Sequence, residues 1–236
     1  MKAAVERCPQ LMTSPRFERE ATTSVKQLAQ YSVEEIQQLL KCNAKIAAEN
    51  KLRYLTFLEG GERLQAALAY TGMAYRHLDA ATFSPQEDEY ANTHLWITSF
   101  LYGLLRPMDG IYNYRLEGNV KLPENQGLSM FDYWKPLLTD VLIQSVKADG
   151  GTLMYLATEE MKRLFNWKRV MQEINIIEPQ FLVDDGTRQK VVTVYAKMCR
   201  GAMARYLIQN RIESADAAQS FSYEGFNHRG AYTWLV

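Results

Sequence analysis

Four cations stand on an otherwise apolar run from Val194 to Arg211: Lys197, Arg200, Arg205 and Arg211. At ~100° per residue of a helix they fall within an arc of about 140°, with Ala204 and Ile208 between them. Met198, Cys199, Ala202, Met203, Tyr206 and Leu207 fill much of the opposite side. One face therefore reads as core and the other as a wall for anions. A solvated basic face on a surface helix is the alternative, and other segments must bring cations to the same cleft before the wall is preferred.

Two further segments offer such groups. Leu40 to Ala47 is similar to the helix-hairpin-helix pattern of apolar, Gly, apolar, Gly, three variable residues and Ala. In that motif, unpaired amides of the hairpin and the following helix hold a nucleic-acid phosphate. Here Lys41 and Asn43 replace the glycines around Cys42; Asn tolerates a left-handed backbone, Lys less readily. Lys45, Lys51 and Arg53 keep the second helix basic, which suits phosphate contact. A plain helical hairpin stays open as the other reading. The second segment starts at Arg106-Pro107-Met108-Asp109-Gly110, which stops the preceding element and turns the chain. Tyr112, Tyr114, Arg115 and Glu117 follow closely. Aromatic, cationic and acidic groups crowded on a connection point to a site, with ordinary packing of the two rings as the alternative.

Composition limits the function classes. In 236 residues, Lys plus Arg and Asp plus Glu are equal at 27 each, so any polyanion site must be a local patch. No run approaches the ~18 apolar residues of a membrane span, and Met1 to Pro9 lacks a signal-peptide core, which makes a cytoplasmic protein the expectation. Cys8, Cys42 and Cys199 are scattered, and His77, His94 and His228 lack ligand spacing. Neither a disulfide framework nor an intrinsic metal or cofactor is expected. Cys199 beside Arg200 is read as a buried small residue rather than an oxidant sensor.

The elements that must position these groups alternate between helix and strand. The first fifteen residues read as irregular, ending at Ser14-Pro15. Helices are expected over Phe17–Gln30, Val33–Leu40 behind a Ser32–Glu35 capping box, and Ala44 to about Phe57. Leu64–Tyr70 reads as a buried strand, and Met73–Leu78 as a short element of uncertain type. Ser84-Pro85-Gln86-Glu87 starts a helix that runs into the low nineties. Leu95–Leu105 reads either as a strand with one or two helical turns or as one helix. Ser129 caps Met130–Ala148, which Pro136 should kink or shorten. Thr152–Leu156 reads as a short buried strand, and Thr158-Glu159-Glu160 as the capped start of a helix. Ile174–Val183 and Lys190–Tyr195 form a hairpin about Asp184-Asp185-Gly186 that feeds the basic helix. Ala215–Gln219 lies in a polar segment, and Phe221–Phe226 begins a closing strand. No linker interrupts the chain, so one α/β domain over residues 1–236 is expected.

Leu101-Tyr102-Gly103-Leu104-Leu105-Arg106-Pro107-Met108-Asp109, Tyr114-Arg115-Leu116-Glu117, Tyr195-Ala196-Lys197 through Asn210-Arg211, and Tyr223-Glu224-Gly225-Phe226 together resemble the YaaA family of bacterial peroxide-stress proteins. The resemblance runs from about Pro15 to about Phe226. It implies a mixed α/β domain with a central sheet, surrounding helices, a basic cleft, a helix-hairpin-helix element and binding to double-stranded DNA. It also implies resistance to peroxide through less free iron and less oxidative DNA damage. Carried over by motif, Arg106, Arg115, Lys197, Arg200, Arg205 and Arg211 supply cleft cations, with Tyr114 beside them and Glu117 and Glu224 as acidic members. The chain departs from the pattern where Met1 to Ser14 shows neither the family's opening strand nor its lysine loop. It departs again at Met161 and Met198.

The leading functional expectation is a DNA-binding stress protein that contacts phosphates and reads little sequence, because no helix carries Arg, Asn and Gln at base-reading spacing. Six phosphate contacts would give a log-log salt slope near about −5. The alternative is an enzyme on a nucleotide or other phosphorylated small molecule in the same cleft, although no P-loop or dinucleotide fingerprint names a reaction. Direct iron sequestration is the weakest expectation, since ligand clusters are missing.

Overall fold

The structure is a computed structural model and describes residues 12–236. Most of the segment expected to be irregular, with Cys8, lies outside the described residues. Within it, Thr13 is not irregular: it bridges Asp109, with its amide donating to Met108 O (2.9 Å) and its carbonyl accepting from Gly110 N (2.8 Å). The partner is 96 positions away, which is why no local signal marks it.

Three helices follow, α1 (Glu18–Leu28), α2 (Val33–Leu40) and α3 (Ala44–Glu59). α1 buries Ala21, Val25 and Leu28 on the stripe its spacing predicts. At α2 the Ser32 hydroxyl accepts from Glu35 N, and the Glu35 carboxylate accepts from Ser32 N. Gly60 closes α3 in the left-handed region at φ 78°.

The stretch expected as one buried strand divides into β1 (Leu64–Gln65) and α4 (Ala66–Ala69). Ala66 N and Ala67 N donate to Asp109 O and Pro107 O, so a distant turn takes the amides that a strand partner would use. The alanines are strong helix formers and complete the turn. α5 (Met73–Leu78), a 3-10 turn at Ala80–Thr82 and α6 (Pro85–His94) come next, and Ser84 and Glu87 form a second capping box.

Beyond α6, β2 (Ile97–Ser99) and β3 (Gly103–Leu105) pair antiparallel, with Ile97 opposite Leu105. Neither helical option for Leu95–Leu105 holds. Gly103 decides it: φ is 69°, and a Cβ there would lie 2.8–2.9 Å from Leu138 and the Trp134 ring. β4 (Gly110–Ile111) pairs with β1.

After a 3-10 turn at Pro123–Asn125, α7 (Met130–Ala148) runs through Pro136 with the bounds that Ser129 and the glycine pair predict. β5 (Thr152–Met154) pairs in parallel with β6 (Asn175–Ile177). Between them, the helix expected at Thr158 is a 3-10 segment, Glu159–Leu164, followed by α8 (Trp167–Glu173). Thr158 makes no side-chain cap; Asn166 caps α8 instead.

β7 (Gln180–Asp184) and β8 (Gln189–Lys190) form a hairpin, but Ile174–Val183, expected as its first strand, is divided: β6 pairs with β5 and only β7 enters the hairpin. The second strand is shorter than predicted because α9 (Thr193–Gln209) has already begun. α10 (Ala215–Ala218), β9 (Ser222–Tyr223), β10 (Phe226–His228) and β11 (Thr233–Leu235) complete the chain.

The expected central sheet is replaced by several small ones. Among the described residues three sheets have two strands each, and a five-stranded sheet runs β8-β7-β11-β10-β9. The larger core surrounds Trp134, Phe131, Tyr54 and Tyr102. A smaller one, with Phe181, Cys199, Met203 and Trp234, gathers α9 residues with residues of the five-stranded sheet. Among the described residues no helix is long and apolar enough to cross a membrane.

Candidate functional site

α9 buries Cys199, Ala202 and Met203 as its spacing predicts, but Ile208, placed between the cations, is buried too. The helix is enclosed on more than one side because it packs against α5 and α6 as well as β7. Gly201 permits the closest approach: a Cβ there would lie 1.9 Å from Ala74 O. That seat divides the four cations. Lys197 is exposed and Arg200 half-buried, with no ion pair or side-chain hydrogen bond to either among the described residues. Arg205 donates to Leu78 O (3.1 Å) and Asp79 O (2.9 Å), and its guanidinium lies over the Phe83 ring (5.4 Å). These carbonyls end α5, so Arg205 caps a helix C-terminus. Arg211 lies beyond α9 in the left-handed region, over the Tyr90 ring at 5.8 Å. Burial, helped by the Glu224 charge, pushes the Cys199 thiol up to about 12. Arg200 does not reverse this, so the thiol is protonated and unreactive at neutral pH.

The α2–α3 turn joins two helices without either glycine of the pattern. Lys41 takes φ 47° and ψ 50°, the left-handed conformation expected to be difficult for Lys. Asn43 is the N-cap of α3, accepting from Ile46 N at 2.9 Å. The Lys41 and Lys45 side chains are exposed, and Cys42 is half-buried. Lys51 turns inward and donates to Ala29 O and to Tyr31 O (2.8 Å) just past α1. Arg53 bonds Asn50 Oδ1 (3.3 Å) and lies 3.9 Å from Glu49.

The segment from Arg106 to Glu117 is held by a buried carboxylate and a group of phenols. Asp109 accepts from Arg106 N (2.8 Å), the Arg106 guanidinium (3.2 Å) and Thr13 Oγ1 (2.7 Å). Arg106 also donates to Ser14 O. Tyr114 is buried, with its hydroxyl 2.6 Å from Tyr70 Oη and 2.7 Å from Ser99 Oγ. Ser99 Oγ accepts in turn from Tyr102 N at 2.8 Å. Tyr70 stacks on Tyr75 with ring centroids 5.0 Å apart. Burial raises the Tyr70, Tyr102 and Tyr114 phenols well above their ordinary range, so they act as neutral hydrogen-bonding groups rather than bases. Arg115 and Glu117 form an exposed ion pair at 2.9 Å, and the Tyr54 hydroxyl donates to Arg115 O. Glu224 is exposed in the turn between β9 and β10, next to Tyr223, whose hydroxyl meets His77 Nδ1 at 2.7 Å.

The structure thus joins Tyr114 to Tyr70 and Ser99, neither of which the sequence marks as special. Tyr70 closes an apolar run, and Ser99 sits in the segment of ambiguous type; their partnership spans 44 and 15 positions. Arg63 is another unmarked cation, paired with Glu18 and lying over Tyr112 at 4.8 Å. Among the described residues no hydrogen bond or ion pair joins Arg106 or Arg115 to the α9 cations. Two adjoining cavities, of about 190 and 430 Å³, share Leu95, Trp96, Leu153, Met154 and Ala204, and Arg200 lines the smaller.

These features define a mixed α/β protein with a glycine-seated basic helix, a capped helical hairpin and a buried tyrosine–serine cluster. The chain belongs to the family of the peroxide stress protein YaaA, whose model matches residues 1–231. It is 50% identical over 216 residues to a UPF0246 protein of Phocaeicola vulgatus, covering 91% of this chain and 85% of the relative. A UPF0246 protein of Bacteroides fragilis is likewise 50% identical over 217 residues, covering 92% and 84%. One from Clostridium botulinum is 34% identical over 218 residues, covering 91% and 85%.

Proposed function

We propose that this protein serves the peroxide-stress response by binding double-stranded DNA through its phosphates, largely without sequence preference, and so limits oxidative damage to DNA and the free iron that causes it. The observation that carries the reading is the α2–α3 turn. Lys41 in the left-handed region and Asn43 as N-cap place the start of a long helix, with two exposed and unpaired lysines, toward solvent. The helix dipole and the first-turn amides other than Ile46 N, which Asn43 Oδ1 takes, favour a phosphate there. Lys197 and Arg200 offer a second pair of cations with no ion pair or side-chain hydrogen bond among the described residues.

Arg205, Arg106 and Lys51 already serve backbone carbonyls, so the number of phosphate contacts is nearer four than six. Band shifts over a salt series therefore give a log-log slope of about −3 to −4. Lys45→Ala and Arg200→Ala each weaken binding to a similar extent on unrelated duplexes. No affinity for duplex DNA at low salt would reject the proposal. The alternative of an enzyme on a phosphorylated compound has less support. The raised phenols are poor bases, and among the described residues Arg200 is the only Lys or Arg lining either cavity.

A further inference from the structure

α3 packs against α1 and α2 and buries Ala47, Asn50, Tyr54 and Phe57, which follow one another at steps of three and four residues. Across the helix, Lys45, Ala48, Leu52, Leu55 and Glu59 repeat those steps and are all exposed. At ~100° per residue they fall within an arc of about 80°. Leu52 is 65% exposed, more than any other large apolar side chain among the described residues, and Leu58 widens the patch. A lone solvated leucine is ordinary. Three leucines on one side of a helix form a patch that calls for a partner.

The charges at the ends of the stripe say which partner. Lys45 stands in the first turn of α3, and Glu59 is its last residue. Each has the wrong sign for the helix dipole, whose amino end favours acids and whose carboxyl end favours bases. Among the described residues neither has an ion pair or a side-chain hydrogen bond. Positive charge at one end, leucine in the middle and negative charge at the other make a surface complementary to itself when reversed.

We infer that α3 is the contact of a two-fold dimer, in which a second copy of this chain lays its own α3 antiparallel along the stripe. Heptad steps let Leu52 of each copy meet Leu55 of the other, with Ala48 opposite Glu59 in the next layer out. Lys45 then lies within one turn of Glu59 of the second copy, and the contact occurs twice, as two-fold symmetry requires. The amino end of each helix also sits beside the carboxyl end of the other, so both charges meet a dipole of favourable sign. A parallel pair would set Lys45 against Lys45 and Glu59 against Glu59. Leucine layers on a helix of about four turns bury less than the roughly 800 Å² per partner of a standard interface. The dimer is therefore transient, with a dissociation constant of about 10–100 µM.

Sedimentation equilibrium over about 5–500 µM protein, without DNA, brackets that range. The average mass rises from that of one chain toward that of two. Leu52→Asp holds it at one chain throughout and leaves the unfolding midpoint unchanged, because the side chain is exposed. Lys45→Glu places an acid beside Glu59 of the second copy and weakens association at least about fivefold; Glu59→Lys does the same beside Lys45. Neither harms the helix, since each reversal agrees with the dipole. The doubly reversed protein, Lys45→Glu with Glu59→Lys, regains association to within about twofold of the original. A mass that stays at one chain at every concentration rules out the dimer and leaves the stripe to a partner of another kind. Association that the single reversals do not weaken, or that the double reversal does not restore, rules out the antiparallel contact. Lys45 also serves the proposed phosphate contact, but with no DNA present the absence of a dimer leaves duplex binding standing.

Discussion

The two basic helices, α3 and α9, use the same device at different depths. In α3, Lys51 caps the carbonyls past the end of α1; in α9, Arg205 caps those that end α5. Each helix therefore commits a cation to a neighbour's C-terminus and keeps others unpaired, Lys41 and Lys45 at one end of the first and Lys197 and Arg200 in the second. They differ in seating. α9 lies against α5 through a glycine with no room for a methyl group, whereas α3 exposes Leu52, Leu55 and Leu58 along its length. Positive charge on a helix is thus not one property. A cation facing a helix end completes the fold, and only one facing water is left for a ligand.

The largest expected effect breaks this comparison at its seat. Gly201→Ala brings a methyl group against Ala74 O and lowers stability by about 3 kcal/mol, measured by urea unfolding. A loss under about 1 kcal/mol would mean that α5 and α9 separate easily. Next come the caps. Lys51→Ala and Arg205→Ala each cost about 1–2 kcal/mol, because partly buried carbonyls lose a charged donor. Arg205→Lys restores part of the loss, and a variant that altered DNA affinity at unchanged stability would undo the distinction between capping and free cations.

The capping box of α6 gives a smaller effect. Ser84→Ala costs about 1 kcal/mol near neutral pH. Hydrogen bonds from the Ser84 amide and hydroxyl hold the Glu87 carboxyl below its ordinary range. Its contribution is therefore complete above the unfolded pKa of about 4.3 and fades as pH falls through the lower folded value. The difference between the two proteins should narrow along that acid limb; a constant difference down to pH 2 would detach Glu87 from the cap. The smallest effect sharpens the comparison. Lys45→Ala changes stability by less than about 0.5 kcal/mol yet reduces the magnitude of the salt slope for DNA by about 1.

What was legible and what was not follows the range of the interactions. The bounds of α2, α6 and α7 agree with expectation because Ser32, Ser84 and Ser129 bond to amides three residues on. Leu64–Tyr70 departs from the expected strand because its helical end is fixed by carbonyls of Pro107 and Asp109. Leu95–Leu105 became a hairpin because Gly103 must make way for Trp134. In the cluster of Tyr70, Ser99 and Tyr114 only Tyr114 carried a signal; Tyr70 and Ser99 each look like ordinary packing, and their link to it spans 44 and 15 positions.

By itself the sequence determined the starts of α2, α6 and α7, the apolar stripe of α1, the cation-bearing stretches and the family. These follow from side-chain chemistry acting within a few residues, or from long motifs in order. Tertiary structure decided which cations meet carbonyls and which meet water, and where the sheets break off. Those outcomes depend on partners 15 to more than 100 positions away, and only packing brings such partners within hydrogen-bond reach.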